Sequence, residues 1–175
     1  AYVDLLQSPD DGGPSSALLS YSWSNTIHDV VGALENWTLG TGREPKRTYI
    51  WICALCLNQH RMARTLSPTA LAGEFGPRVT QIGRLLPLLS PYIAPIYVTR
   101  AWGLFELFTA IRNRYEIDIN IILPPSQLHA FTDDMSTGQH LVLDRVLDSI
   151  DSGRAVASQE ADLTAIRAFI SELPG

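Results

Sequence analysis

Apolar positions fall into short runs and helical stripes that alternate along the chain. Ala17-Leu18-Leu19-Ser20-Tyr21 is a short apolar run and predicts a buried strand. Ser24-Asn25-Thr26 then supplies helix N-cap chemistry, with Asp29 three residues after Thr26 in the manner of a capping box. Ile27, Val30, Val31, Leu34 and Trp37 follow at helical spacing and predict an amphipathic helix. The Gly and Pro of residues 39–46 mark a loop. Thr48 to Cys53 is rich in β-branched and aromatic residues and predicts a second strand, without clean alternation, as suits a strand covered on both faces. Gly76-Pro77 reads as a turn into a short helix through Val79, Ile82 and Leu85. Leu85 to Leu89 is a candidate third strand, in which Pro87 demands an edge or a bulge.

Pro91 to Tyr97 reads as a constrained loop that feeds the central helix, Thr99 to Arg112. There Ala101, Leu104, Phe105, Phe108 and Ile111 form a core stripe. Trp102 and Leu107 widen it, so the helix is predicted to be largely buried. Ile117 to Leu123 predicts a last strand, stopped by Pro124-Pro125. Beyond it the pattern is helical: one stripe at Leu143, Val146, Leu147 and Ile150, then a helix capped by Ser158 and lined by Leu163, Ile166, Ile170 and Leu173.

Strands alternating with helices imply an α/β fold with a parallel sheet flanked by helices. In such sheets ligands bind beyond the carboxyl ends of the strands. That rule gathers the segments 20–24, 53–60 and 90–100, and predicts a pocket lined by Tyr21, Ser22, Trp23, Trp102 and Glu106. Glu106 stands out because its helical neighbours three and four residues away are Trp102, Gly103, Thr109 and Ala110, with no Lys or Arg among them. A carboxylate so placed either reaches solvent or has a task.

Composition narrows the functions. The 175 residues are 46% hydrophobic, enough for one domain or one domain with an appendage. A formal net charge of −5 without a basic run disfavours nucleic-acid binding. No apolar stretch approaches the roughly 18 residues of a membrane span, and the start, Ala-Tyr-Val-Asp, carries no signal-peptide pattern and reads as a piece of a longer protein. Cys53 and Cys56 are the only cysteines and lie in a hydrophobic run, which points to a reduced, cytoplasmic setting. With His60 they are too few for the four ligands of a structural zinc site, so buried thiols and no metal are expected. His28, His129 and His140 read as surface residues, and no His and Asp are spaced to activate Ser22 as a nucleophile.

Two short motifs add a resemblance. Leu19-Ser20-Tyr21-Ser22 resembles the first-strand signature of Toll/interleukin-1 receptor (TIR) domains, and Trp102-Gly-Leu-Phe-Glu106-Leu107 resembles their later Trp-Cys-x-x-Glu-Leu motif. Ser22-Trp23, Trp51-Ile52-Cys53, Asn58-Gln59 and the run from Tyr97 to Trp102 are similar to a divergent TIR-like group of protist and algal type, and Trp51 to Gln59 also resembles a fungal heterokaryon-incompatibility motif. The resemblance spans residues 16–123, after a lead-in segment 1–15 and before a helical extension 124–175 packed on the domain. It implies a flavodoxin-like sheet and, as in some members, cleavage of NAD⁺ at the nicotinamide–ribose bond in immune or stress signalling, giving linear or cyclic ADP-ribose. Glu106 takes the catalytic position. Ser20, Tyr21, Ser22, Trp23, Cys53, Arg100 and Trp102 take substrate-binding positions. NAD⁺ is then the substrate, with no further cofactor, and self-association through the domain is implied. Three positions depart from the pattern: Cys53 replaces a common Asp, Ser22-Trp23 stand where enzymes often carry Arg, and Gly103 replaces the usual Cys. Arg100 is the residue left to contact the diphosphate. The alternatives are an assembly module without chemistry, using exposed rings at Trp23, Tyr92 and Tyr97, and a sensor that binds a nucleotide derivative without turnover.

Overall fold

A computed structural model describes residues 2–8, 11–58, 68–113, 115–137, 148, 151, 153–157 and 160–171. Among these residues four strands form one all-parallel sheet: β1 (Ala17–Ser20), β2 (Ile50–Trp51), β3 (Arg84–Pro87) and β4 (Asp118–Ile119), in the order β2-β1-β3-β4. The helices are α1 (Ile27–Gly40), the single turn α2 (Cys53–Cys56), α3 (Pro68–Ile82), α4 (Ala101–Arg112), α5 (Pro125–Ser136) and α6 (Glu160–Ser171). The alternation read from the sequence therefore yields an α/β fold. Among the described residues, no helix is long and apolar enough to cross a membrane.

The two-residue period of β1 sorts its side chains between two helix layers. Ala17 and Leu19 join Val30, Ala33 and Trp37 of α1, together with Leu86, Leu88 and Ile122. Leu18 faces the other way, into a core with Phe75 and Val79 of α3, Phe105 of α4 and Ile166 of α6. Ser20, two residues after Leu18, is carried to that same face at the strand tip. The register aligns Leu18 with Leu85, Leu19 with Leu86 and Ser20 with Pro87, and the Leu88 N–H donates to the Ser20 carbonyl at 2.9 Å.

Several expectations need correction. Pro87 lies on an interior strand and not at a sheet edge. It is tolerated because the regular β4 ladder ends at Ile119. Asn120 and Ile122 still donate to Leu85 and Pro87 carbonyls, at 3.0 Å each, and neither bond needs an N–H from Pro87. Strands two and four are shorter than predicted, and Cys53 opens α2 instead of closing β2. Gly76-Pro77 is not a turn. α3 runs through Pro77 to Ile82, and Gly83, at φ +71°, ends it in the left-handed conformation that glycine adopts without a Cβ penalty.

Thr26 caps α1 as expected, accepting from the Asp29 N–H at 3.1 Å. The helix is nevertheless rotated from its predicted face. Val30, Ala33 and Trp37 are buried, whereas Ile27 and Val31 are exposed. α1 docks through small residues: a Cβ on Gly32 would lie 2.7 Å from the Pro125 ring. In α4 the buried face spans Ala101, Gly103, Leu104, Phe105, Glu106, Thr109 and Ala110, so the helix is largely buried, but Ile111 is exposed. The stripe at Leu143, Val146, Leu147 and Ile150, the Ser158 cap and Leu173 lie outside the described residues. Among the described residues of this stretch, Ile166 is buried against the α3–α4 side, and Val156 exchanges backbone hydrogen bonds at 2.9 Å with Thr99 and Ala101.

Candidate active site

From β1 the chain steps to β2 on one side and later to β3 on the other, so the crevice of this sheet opens at the tip of β1. The residue there is Ser20. The helix passing over it is α4, entered from a 3-10 turn at Ile96–Thr99 through Arg100. This entry places Glu106 against the strand tip. Its carboxyl accepts a hydrogen bond from Ser20 Oγ, across 86 residues of sequence. Glu106 is only 8% exposed. Burial pushes its carboxyl up to about 7, against the opposing pull of the Ser20 hydroxyl and the Arg100 guanidinium.

Around this pair stand most of the residues picked from the sequence. Arg100 Nη1 donates to Ser22 Oγ at 3.2 Å, and Ser22 Oγ pairs with Ser24 Oγ at 2.7 Å. The Ser22 N–H donates to Asn25 Oδ1 at 2.9 Å, which fixes the loop after β1. Cys53, at the start of α2, is held up by burial and next by the Glu106 charge, with Trp23 and Arg100 pulling the other way. Tyr21 is held up by burial and next by Cys53. Trp23 is 62% exposed and sits at the outer edge of the group. Ser20, Tyr21, Ser22, Trp23, Cys53, Arg100 and Glu106 are thus brought together from three separate segments.

Trp102 is placed differently. Its ring packs on Phe75 and Phe105, at centroid distances of 5.2 and 5.8 Å, and its Nε1–H donates to Asp162 Oδ2 of α6 at 3.1 Å. It ties α4 to the outer helices. The rings invoked for an assembly surface divide as well: Trp23 is exposed, but Tyr92 and Tyr97 are buried. Among the described residues no group of three or more His, Cys, Asp or Glu is arranged to hold a metal. His28 and His129 are exposed, and His60 and His140 lie outside the described residues.

Tyr97 is the site residue that sequence reasoning missed. It is 1% exposed, and its hydroxyl donates to the Gly103 carbonyl at 2.9 Å. Its phenol is held far above its ordinary range by burial and next by the nearby Glu106 charge. A signal for it existed in Gly103. A glycine inside a buried helix costs about 1 kcal/mol of helix propensity, which marks a close approach. A Cβ there would lie 2.7 Å from the Tyr97 carbonyl oxygen and 2.9 Å from its ring. Gly103→Ala is therefore expected to destabilise the fold by about 1–3 kcal/mol despite the better helix former, measured by urea denaturation. A neutral or stabilising result would contradict this packing.

A groove of about 240 Å³ lies elsewhere, between α4, α6 and the 153–155 segment; Ala101, Leu104, Leu163 and Ile166 line it, and Glu106 does not. Compared with known proteins, the chain matches no family model, no curated protein and no solved structure.

Proposed function

We propose that this is a TIR-like, flavodoxin-like domain that cleaves NAD⁺ at the nicotinamide–ribose bond, with Glu106 as the essential carboxylate. The observation that carries the reading is one buried acid at the tip of the first strand, held by Ser20 and faced by Arg100. The strand order β2-β1-β3-β4 agrees with a flavodoxin-like start, whose crevice lies between β1 and β3. The two motifs that carry the TIR resemblance supply the two halves of this contact, Ser20 from the first and Glu106 from the second.

The chemistry follows from the surroundings. Loss of nicotinamide leaves an oxocarbenium-like ribose. A carboxylate in low-polarity surroundings stabilises that charge and orients the ribose hydroxyls. Tyr21 and Trp23 offer ring faces to the base and to the cationic nicotinamide. Arg100, tied to Ser22, is a cation within this group that can meet the diphosphate. Trp102 acts as a support for α4 in this scheme. In a cell the domain would work in the cytoplasm, in immune or stress signalling, through self-association.

Incubation of the concentrated protein with NAD⁺, followed by chromatographic detection of nicotinamide, tests the proposal. Nicotinamide release that disappears in Glu106→Ala is the expected result. Absence of turnover at all concentrations, including conditions that promote oligomers, would overturn it. Calorimetric binding of NAD⁺ without turnover would identify a sensor instead.

A further inference from the structure

Cys53 and Cys56 form a C-x-x-C pair that the strand expected over residues 48–53 would have held apart. Residues three apart in a strand are separated by about 10 Å, beyond the reach of a disulfide. Instead Cys53 opens the single turn α2 and Cys56 closes it. The turn is helical: the Cys56 N–H donates to the Ile52 carbonyl at 2.8 Å, and the Leu57 N–H to the Cys53 carbonyl at 3.1 Å. Residues three apart in such a turn have Cα atoms about 5 Å apart, inside the range of roughly 4.4–6.8 Å that a disulfide spans. Their Cβ atoms are about 5–6 Å apart, so closing the bond draws the turn in by about 1 Å. Both residues are half-buried thiols packed at the margin of the core, and not sealed inside it as their hydrophobic run suggested.

The pair also lies beside the candidate site. β2 runs parallel to β1, with Trp51 opposite Leu18. Ile52 keeps an extended backbone, at φ −126° and ψ 120°. Two residues beyond that pairing the chain reaches Cys53 on one side and Ser20, which holds Glu106, on the other. We propose that Cys53 and Cys56 are a reversible redox pair whose disulfide draws the Cys53 sulfur away from the strand tips. The oxidant is a small-molecule disulfide such as glutathione disulfide. One cysteine thiolate attacks a sulfur of the oxidant, which forms a mixed disulfide and breaks the glutathione S–S bond. The other cysteine then attacks the protein sulfur, forms the Cys53–Cys56 bond and displaces the second glutathione. The two thiol protons end on the two glutathione molecules. The protein is oxidised by two electrons and glutathione disulfide is reduced by two. The closed loop holds only 4 residues, so it removes little chain entropy, and its turn has to tighten. Both make the bond easily reduced, as in a redox-sensing disulfide and unlike a structural one.

The test is equilibration of the purified protein in glutathione buffers of rising disulfide content, followed by alkylation with N-ethylmaleimide and intact-mass measurement. Both alkylatable thiols are expected to vanish together in one step, with loss of two hydrogens and no glutathione adduct, and dithiothreitol is expected to restore both. Two alkylatable thiols at every buffer ratio would overturn the pair, as would separate glutathione adducts on the two cysteines. The effect on turnover rests on the NAD⁺-cleaving reading, in which Cys53 belongs to the substrate-binding group. A misplacement of about 1 Å in a site can cost about 10² in rate, so oxidation is expected to slow nicotinamide release by about tenfold to a hundredfold. Cys56→Ser chains that carry no adduct are expected to keep the reduced-state rate in the same buffers. Equal rates in the two redox states would overturn the displacement of Cys53. A thiol transition without turnover in either state would leave the redox pair standing and remove the NAD⁺ reading.

Discussion

Glu106→Gln is expected to lower nicotinamide release at least a hundredfold, and the wild-type rate is expected to rise with pH across about 7. The proposed task of Glu106 is to carry negative charge beside a developing oxocarbenium. A glutamine fills the same space and still accepts from Ser20, but offers a dipole in place of a charge. Removing one preorganised electrostatic group from a desolvated site costs about 10²–10³ in rate. The pH dependence has the same origin. Burial raises the carboxyl to about 7, so the acid is mostly neutral below that value and ionised above it. Rates measured from pH 5.5 to 8.5 should climb to a plateau, and the residual rate of Glu106→Gln should be flat. A wild-type rate that falls across this interval would show that a protonated group is required, and would remove Glu106 from the role of charge stabiliser.

The convergence of Ser20, Cys53, Arg100 and Glu106 was legible because it depends on topology alone. Once β1 and the helix after Arg100 are recognised, the strand-tip rule of parallel sheets brings their ends together. The burial of Glu106 was not legible. On a helical wheel it lies off the Ala101–Leu104–Phe108 stripe. Only the packing of α4 between the sheet and the α3 and α6 helices widens the buried arc enough to include it. The face of α1 was misread for a related reason. Periodicity ranks Ile27 and Val31 as core, whereas docking is set by the close approach of Gly32 to Pro125, a residue 93 positions away. Pro77 and Pro87 show that local punctuation yields to tertiary context where their neighbours have other partners. Tyr97 was the costliest miss. A tyrosine after Pro95-Ile96 reads as a surface ring, and its burial becomes visible only through the missing Cβ of Gly103.

The same burial that would tune Glu106 for chemistry makes it a liability for the fold, and the two are separable by pH. In the unfolded chain a glutamate loses its proton near 4.5, whereas the folded protein keeps it to about 7. Between those values the native state binds more protons than the unfolded state, so stability falls as pH rises through the window. Below about 4.5 the penalty is absent, and above about 7 it is complete. At 1.36 kcal/mol per unit, the full penalty is about 3 kcal/mol. Glu106→Gln carries no such term. The variant is therefore expected to be more stable than wild type at pH 8, by up to about 3 kcal/mol, and to lose that advantage near pH 4.5, where both side chains are neutral. Urea denaturation at the two pH values measures the difference directly, and other titrating groups cancel between the two proteins. A variant that is less stable than wild type at pH 8 would mean that the ionised carboxylate is stabilised in place, by Arg100 and Ser20, more than burial opposes it. Glu106 would then be a structural anion. With the expected sign, a charge retained against its cost to folding has to be explained by what it does at the strand tip.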